Sequence, residues 1–307
     1  MTRCLAPGRV SKGQWGYFGL MQPLSGLTVA DLTRQLPGPF AARELLRLGA
    51  RVTKIEPPEG DSMAQGAPEW YAAINAGKEI VSWDAASAPA PAALLEADVV
   101  LEGFRPGVWE RLGVDLPATT ILCSITGYGA DGPHALEAGH DLNYLGYAGV
   151  LADTAPAIPP VQIADLAAGA QGAVIEVLAA LLERERTGRG ARIVVSMTHG
   201  AHRFVAHRSG GDPVPRVLTG GVACYRIYET ADGRFLTVAA LEPKFWQRLC
   251  ELLERPDLAG RAFEPELPEL AELFRSRPLA DWLALLEGEE TCVGPVLSVS
   301  EAARELR

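Results

Sequence analysis

The hydrophobic positions of this chain change period along its length. "LTVADL" (27–32) is a short apolar run, and in the segment after it, "TRQLPGPFAARELLRLGA", apolar Phe40, Leu45, Leu46 and Leu48 are interspersed with polar Arg43, Glu44 and Arg47, with Leu45 and Leu48 three apart. A short continuous run predicts a strand, and a 3.6-residue period predicts a helix. Gly49 supplies the helix stop. "RVTKIEPP" (51–58) predicts a second strand, closed by two prolines. Strand, helix and strand in that order make a βαβ unit, which implies parallel pairing and a right-handed crossover. The alternation continues: "KEIVSWD" (78–84), "DVVLEGF" (98–104) and "TTILCSITGYG" (119–129) predict strands, with a helix at "PAPAALLEA" between the first two. A long helix is predicted from Leu166 to Arg186, and "ARIVVSM" (191–197) is one more strand.

After residue 201 the pattern changes. Residues 202–220, rich in Arg, Gly and Pro, predict a linker. "VACYRIYETADGRFLTVAAL" carries two alternating runs around Asp232-Gly233, a hairpin signal. "EPKFWQRLCELLERPDL" and "PELAELFRSRPLADWLALLEGE" predict helices, and "CVGPVLS" an extended segment. Residues 1–20 show no period and predict a flexible extension. The fold class is therefore α/β: a Rossmann-like open parallel sheet over 21–201, then the linker, then a small α+β domain over 221–307.

Composition narrows the function classes. Of 307 residues, 48% are apolar, enough for a sizeable core. The formal charge of −10 argues against a nucleic-acid partner, since phosphate neutralisation needs surplus Lys and Arg. The five cysteines are scattered with no CxxC pair, which predicts reduced thiols, no metal centre and a cytoplasmic location. No apolar run is expected to span a membrane, and the N-terminus lacks the ordered regions of a signal peptide.

Several residues stand where chemistry is plausible. His140 precedes Asp141 just after a glycine-rich run, in "EAGHDLNY". Either Asp141 caps a short helix with His140 as a loop residue, or His140 is a general acid/base, because imidazole titrates near neutral pH. Asp165 stands near the start of the long helix, followed by "AAGAQGA". Capping alone accounts for such an aspartate, but small neighbours let a backbone or ligand approach, and a partly desolvated carboxylate can act as nucleophile or acid/base. Glu242 precedes Pro243 at another predicted helix start. Arg105 and Arg111 follow a strand in "EGFRPGVWERLGV", with Phe104 and Trp109 beside them. At the carboxyl edge of a sheet, that pattern suits phosphate pairing and ring stacking. A GxGxxG fingerprint, a P-loop and a GxSxG elbow are all absent, so plain NAD, NTPase and serine-hydrolase readings lose support.

Taken in order, "PLSGLTVADL…PGPFAARELLRLGARVTKIEPP", "ADVVLEGFRPGVWERLGV", "SITGYGADGP", "AGHDLNY", "IADLAAGA" and "ALEPKFW" resemble successive segments of the family III CoA-transferases, and within them the alpha-methylacyl-CoA racemases. The resemblance covers residues 22 to 300. It implies the family III CoA-transferase fold and a CoA thioester substrate, with no prosthetic group. By position it implies that Arg105, Arg111, Gly103, Phe104, Trp83 and Asp84 line the CoA, and that Gly139, Asp141 and Tyr144 wrap the pantetheine and thioester. It also implies an interlocked homodimer. His140 and Asp165 would flank the substrate α-carbon from opposite faces, exchanging its proton through an enolate. Glu242 would hold His140 in a productive tautomer, and the helix after Asp141 would stabilise the enolate oxygen.

The chain departs from the family pattern in three places. His199 replaces the usual Asp, Pro57 replaces a basic residue for which Lys54 would substitute, and the chain ends at Arg307, before the family's usual return to the large domain. The leading expectation is an acyl-CoA racemase or epimerase. A CoA-transferase with Asp165 as nucleophile, and a CoA-binding protein without turnover, are the alternatives.

Overall fold

The computed structural model describes residues 22–306 except 212, 213 and 215, so residues 1–20 and part of the expected linker lie outside the described residues. The first compact unit runs to Ala206, leaving out Asp153–Ala155, which belong with the second unit from His207 onward.

In the first unit six strands form one sheet: β1 (Thr28–Asp31), β2 (Arg51–Glu56), β3 (Glu79–Ser82), β4 (Val99–Glu102), β5 (Ile121–Thr126) and β6 (Arg192–Ser196). Their order is β3-β2-β1-β4-β5-β6, and every pairing is parallel. Crossovers come from α1 (Pro37–Arg47), α2 (Ser62–Gly66), α3 (Pro68–Asn75), α4 (Ala92–Leu95), α5 (Val108–Leu112), α6 (Asp141–Tyr147) and α7 (Gly172–Thr187), with α8 (Met197–Val205) following β6. Alternate strand residues serve opposite faces, as the period of two requires. Val29, Val52, Val99, Leu101, Ile121 and Cys123 pack against Ala41, Leu45, Ala173 and Val177 of α1 and α7. Ala30, Ile55, Val100 and Leu122 pack on the other face against Leu94 and Trp109. Coverage on both faces explains why these strands read as near-continuous apolar runs.

Helix ends follow local chemistry. Proline opens α1, where its missing N–H costs nothing. Gly49, at φ 103°, closes it, its N–H reaching Leu46 O at 2.9 Å. Between Ala164 and Gln171 the helix before α7 is a π-helix. Ala164–Thr187 is continuous over 24 residues and, by length and composition, apolar enough to cross a bilayer. This corrects the expectation that no run reaches that length. Its Ala173, Val177 and Leu181 supply the core under the sheet.

The second unit is α+β. β7 (Tyr225–Glu229) and β8 (Phe235–Ala239) form the hairpin expected around Asp232-Gly233, and β9 (Val293–Pro295) adds antiparallel to β8. Helices α9 (Pro243–Leu252), α10 (Pro268–Phe274), α11 (Leu279–Leu285) and α12 (Val299–Glu305) complete it. The expected helix over 268–289 is two helices, because Pro278 cannot continue α10 and starts α11 instead. Trp246 and Trp282 fill the core, and each indole N–H finds a carbonyl, at 2.9 and 2.8 Å.

Candidate active site

The strand order reverses between β1 and β4. Open parallel sheets bind ligands in the crevice beyond the carboxyl ends of such strands. Here that crevice is a cavity of about 680 Å³, walled by Thr33–Gln35 after β1, Gly103–Arg105 after β4, Thr126–Tyr128 at the end of β5, and Ala138–His140 with Tyr144. A second cavity of about 310 Å³ continues it across β2 and β3, between Glu56–Glu59 and Trp83–Ala86. Leu32, Arg34 and Phe104 border both. The two together form a trough along the sheet edge.

Each wall has a local cause. Glu102 Oε2 accepts from Phe104 N at 2.6 Å, which ties the turn after β4 to the strand end. Gly127 and Gly139 clasp the Tyr144 ring. A Cβ at Gly127 would lie 2.5 Å from Tyr144 Cε1, and one at Gly139 2.8 Å from the same atom. The Tyr144 hydroxyl donates to Gly139 O. Burial first, and the Asp165 charge second, push that phenol up to about 12.

His140 is exposed on the cavity wall and is the N-cap of α6. Its N–H donates to Asn143 Oδ1 at 3.1 Å, and its carbonyl accepts from Asn143 N at 2.8 Å. Asp141 therefore does not cap α6. It is the first helical residue, and its Oδ1 accepts instead from Asp165 N at 3.0 Å, joining the starts of two helices. Asp165 likewise is no cap. It lies inside the first turn of the π-helix, and its carboxylate has no hydrogen-bond partner among the described residues. Burial, and then the nearby Asp141 charge, push its carboxyl up to about 6, with His140 pulling the other way. His140, Asp141, Tyr144 and Asp165 thus form one electrostatic cluster. A carboxyl poised near neutrality beside an imidazole can accept or return a proton at working pH.

The other expected residues divide. Gly103, Phe104, Arg105 and Gly139 line the main cavity, and Trp83 and Asp84 line the second. Arg105 and Arg111 are both exposed. Arg111 sits at the end of α5, its Nη1 3.3 Å from where a Cβ at Gly107 would be, and does not line either cavity. Trp109, expected to stack on a ligand ring, is buried under the sheet instead, because its face of α5 completes that core. Lys54 is fully buried, its Nζ donating to Thr33 O at 2.8 Å and pairing with Asp61 at 3.1 Å. It is committed to the fold and does not replace the basic side chain absent at Pro57. Glu242 is the exposed N-cap of α9 in the second unit, and its side chain makes no capping hydrogen bond. His199 Nδ1 lies 2.7 Å from Ser196 Oγ at the start of α8, on a separate cavity of about 460 Å³. Sequence reasoning missed Arg34 and Gln35. Gln35 has φ 63°, rare for a side-chain-bearing residue, and no sequence signal marks it. Arg34 was discoverable as the basic residue just beyond β1, at the switch point.

Comparisons with known proteins place the chain in a family. The chain is 32% identical to human alpha-methylacyl-CoA racemase over 308 residues, covering 91% of this chain and 78% of that one. It is 31% identical to acetyl-CoA:oxalate CoA-transferase of Acetobacter aceti, covering 92% and 82%. Among solved structures, a hypothetical protein of Mycobacterium tuberculosis, Rv3272, superimposes with a TM-score of 0.78 at 31% identity, covering 92% of this chain and 86% of that one. Residues 24–306 match CoA-transferase family III, and the chain belongs to that family.

Proposed function

We propose that this member of CoA-transferase family III is an acyl-CoA racemase or epimerase that inverts the α-carbon of 2-methylacyl-CoA thioesters. What carries the reading is an electrostatic pairing: an imidazole on the cavity wall, His140, acts on Asp165, a carboxyl behind that wall, pushed up to about 6 and with no hydrogen bond to occupy it among the described residues. In one direction Asp165 takes the α-proton, and the electron pair moves onto the thioester oxygen as an enolate. His140 then delivers a proton to the opposite face of the carbon. Inversion needs two groups, because one group returns the proton to the face it left. For the enolate oxygen the reading draws on the Asp141 N–H beside His140, which has no partner among the described residues. The CoA nucleotide takes the second cavity, near Arg34, Trp83 and Asp84. The pantetheine runs past Arg105, Gly103 and Phe104 toward Gly139 and Tyr144. The reading extends to a cytoplasmic homodimer, tested by sedimentation, and to a role in turnover for Glu242, tested by a Glu242→Gln variant.

A second reading has an observation of its own. A carboxylate with no hydrogen-bond partner is also a competent nucleophile, so Asp165 could carry acyl groups between CoA and a carboxylic acid. The transferase relative favours that chemistry equally. The two separate cleanly. Racemisation runs without an acceptor acid, and His140→Ala and Asp165→Ala each slow it by about 10²-fold or more. Transfer requires an acceptor, survives His140→Ala, and leaves Asp165 trappable by hydroxylamine. An acceptor requirement with a trapped Asp165 overturns the racemase reading.

A further inference from the structure

Under the trough floor, Asp31, Lys54, Asp61 and Lys78 form a buried charge network. Lys78 Nζ lies 2.9 Å from Asp31 Oδ2 and donates to Pro39 O at 2.9 Å and Asn75 Oδ1 at 2.8 Å. Asp31 Oδ1 accepts from Thr33 N at 3.0 Å and from the Thr33 hydroxyl. Thr33 O then accepts from Lys54 Nζ at 2.8 Å. Lys54 pairs in turn with Asp61 at 3.1 Å, with Glu56 farther off at 3.8 Å. Asp61 Oδ1 caps α2 through Met63 N at 2.9 Å, while its Oδ2 has no hydrogen bond and is held by the Lys54 charge.

Stability alone does not explain this arrangement. Apolar residues of similar volume commonly replace buried ion pairs at no loss. The network does join two places that border the trough. Thr33 leads into Arg34 and Gln35, and the left-handed Gln35 persists only where its surroundings impose it. Thr33 is also pressed against the start of α1, since a Cβ at Gly38 would come within 2.2 Å of Thr33 Cβ. Across the second cavity stand Glu56 to Glu59, in the segment that ends at Asp61. One ammonium, on Lys54, reaches both sides.

We propose that Lys54 and Asp61, backed by the Asp31–Lys78 pair, are positioning residues for the nucleotide half of the CoA thioester. They set the spacing between the Thr33–Gln35 turn and the Glu56–Glu59 segment, and so the width of the second cavity. This rests on the CoA reading above. The test is calorimetric binding of CoA, adenosine 3′,5′-bisphosphate and pantetheine to the wild-type chain and to the Asp61→Asn, Lys54→Met and Lys54→Arg variants. Asp61→Asn keeps the α2 cap acceptor and removes only the charge, so it carries the test if Lys54→Met does not fold. The expected result is a loss of about tenfold for CoA and the bisphosphate alike, unchanged pantetheine binding, and partial recovery in Lys54→Arg. Unchanged CoA affinity in folded Asp61→Asn, or an equal loss for pantetheine, overturns the positioning role while leaving the CoA reading intact. A wild-type chain that binds neither CoA nor the bisphosphate overturns both.

Discussion

At the residue scale the site turns on one carboxyl group. Partial burial and the nearby Asp141 charge push the Asp165 carboxyl up to about 6, above the ordinary carboxylate value of about 4. A raised carboxyl contributes stability that is complete below about pH 4 and lost as pH rises through about 6. Above that the ionised group costs the fold about 2–3 kcal/mol. Asp165→Asn is therefore expected to stabilise the protein by about 1–2 kcal/mol near pH 8 and to leave it unchanged near pH 4, read by urea unfolding at both values. Asp141→Asn keeps the oxygen that accepts from Asp165 N and removes the neighbouring charge. It should lower the Asp165 value, so the acid limb of the pH–rate profile moves to lower pH; a limb that stays in place would remove Asp165 from the rate-determining ionisation. His140 and Asp165 stand out in the sequence as candidates, because a polar residue beside a glycine or small-residue run is unusual. The link from Asp141 to the start of the next helix does not. It depends on Asp141 meeting a helix start 24 positions away, which no local period encodes.

At the element scale the period of two and the period of 3.6 placed all six parallel strands, α1, α7 and the small-domain hairpin. Short helices escaped. α2 and α3 are too short to show a period, and α8 falls partly in the stretch that composition marks as a linker. The π-helix escaped as well, because the apolar pattern does not separate it from an α-helix. Gly169 lies under Met197, whose Cγ would be 2.8 Å from a Cβ there, and Gly200 of α8 faces Ala168, at 2.9 Å. The small residues after Asp165 thus admit a neighbouring helix. Gly200→Ala should overpack that contact, costing about 1–3 kcal/mol in denaturant unfolding and lowering turnover, because the displaced helix carries Asp165. Full stability in this variant would show that the helix contact has slack.

At the scale of the whole molecule, a chain of net charge −10 gathers Arg34 and Arg105 on one trough at the switch point of its sheet. Both are exposed and carry no ion pair among the described residues, as suits a site for an anionic ligand. Arg34→Ala and Arg105→Ala should each weaken CoA binding by about tenfold and flatten its salt dependence, as calorimetry at two ionic strengths would show. The sheet, the switch point and the trough follow from the alternation of elements along the sequence. The family follows from several motifs in order. Neither separates racemase from transferase, because relatives of both activities match this chain over nearly its whole length at similar identity. The most direct measurement is α-proton exchange: the purified protein with a single-configuration 2-methylacyl-CoA in D₂O, without an acceptor acid, followed by mass spectrometry and NMR. A racemase takes up one deuterium at the α-carbon with loss of configuration, and that is the expected result. No uptake, with CoA passing to an added carboxylic acid instead, would contradict it.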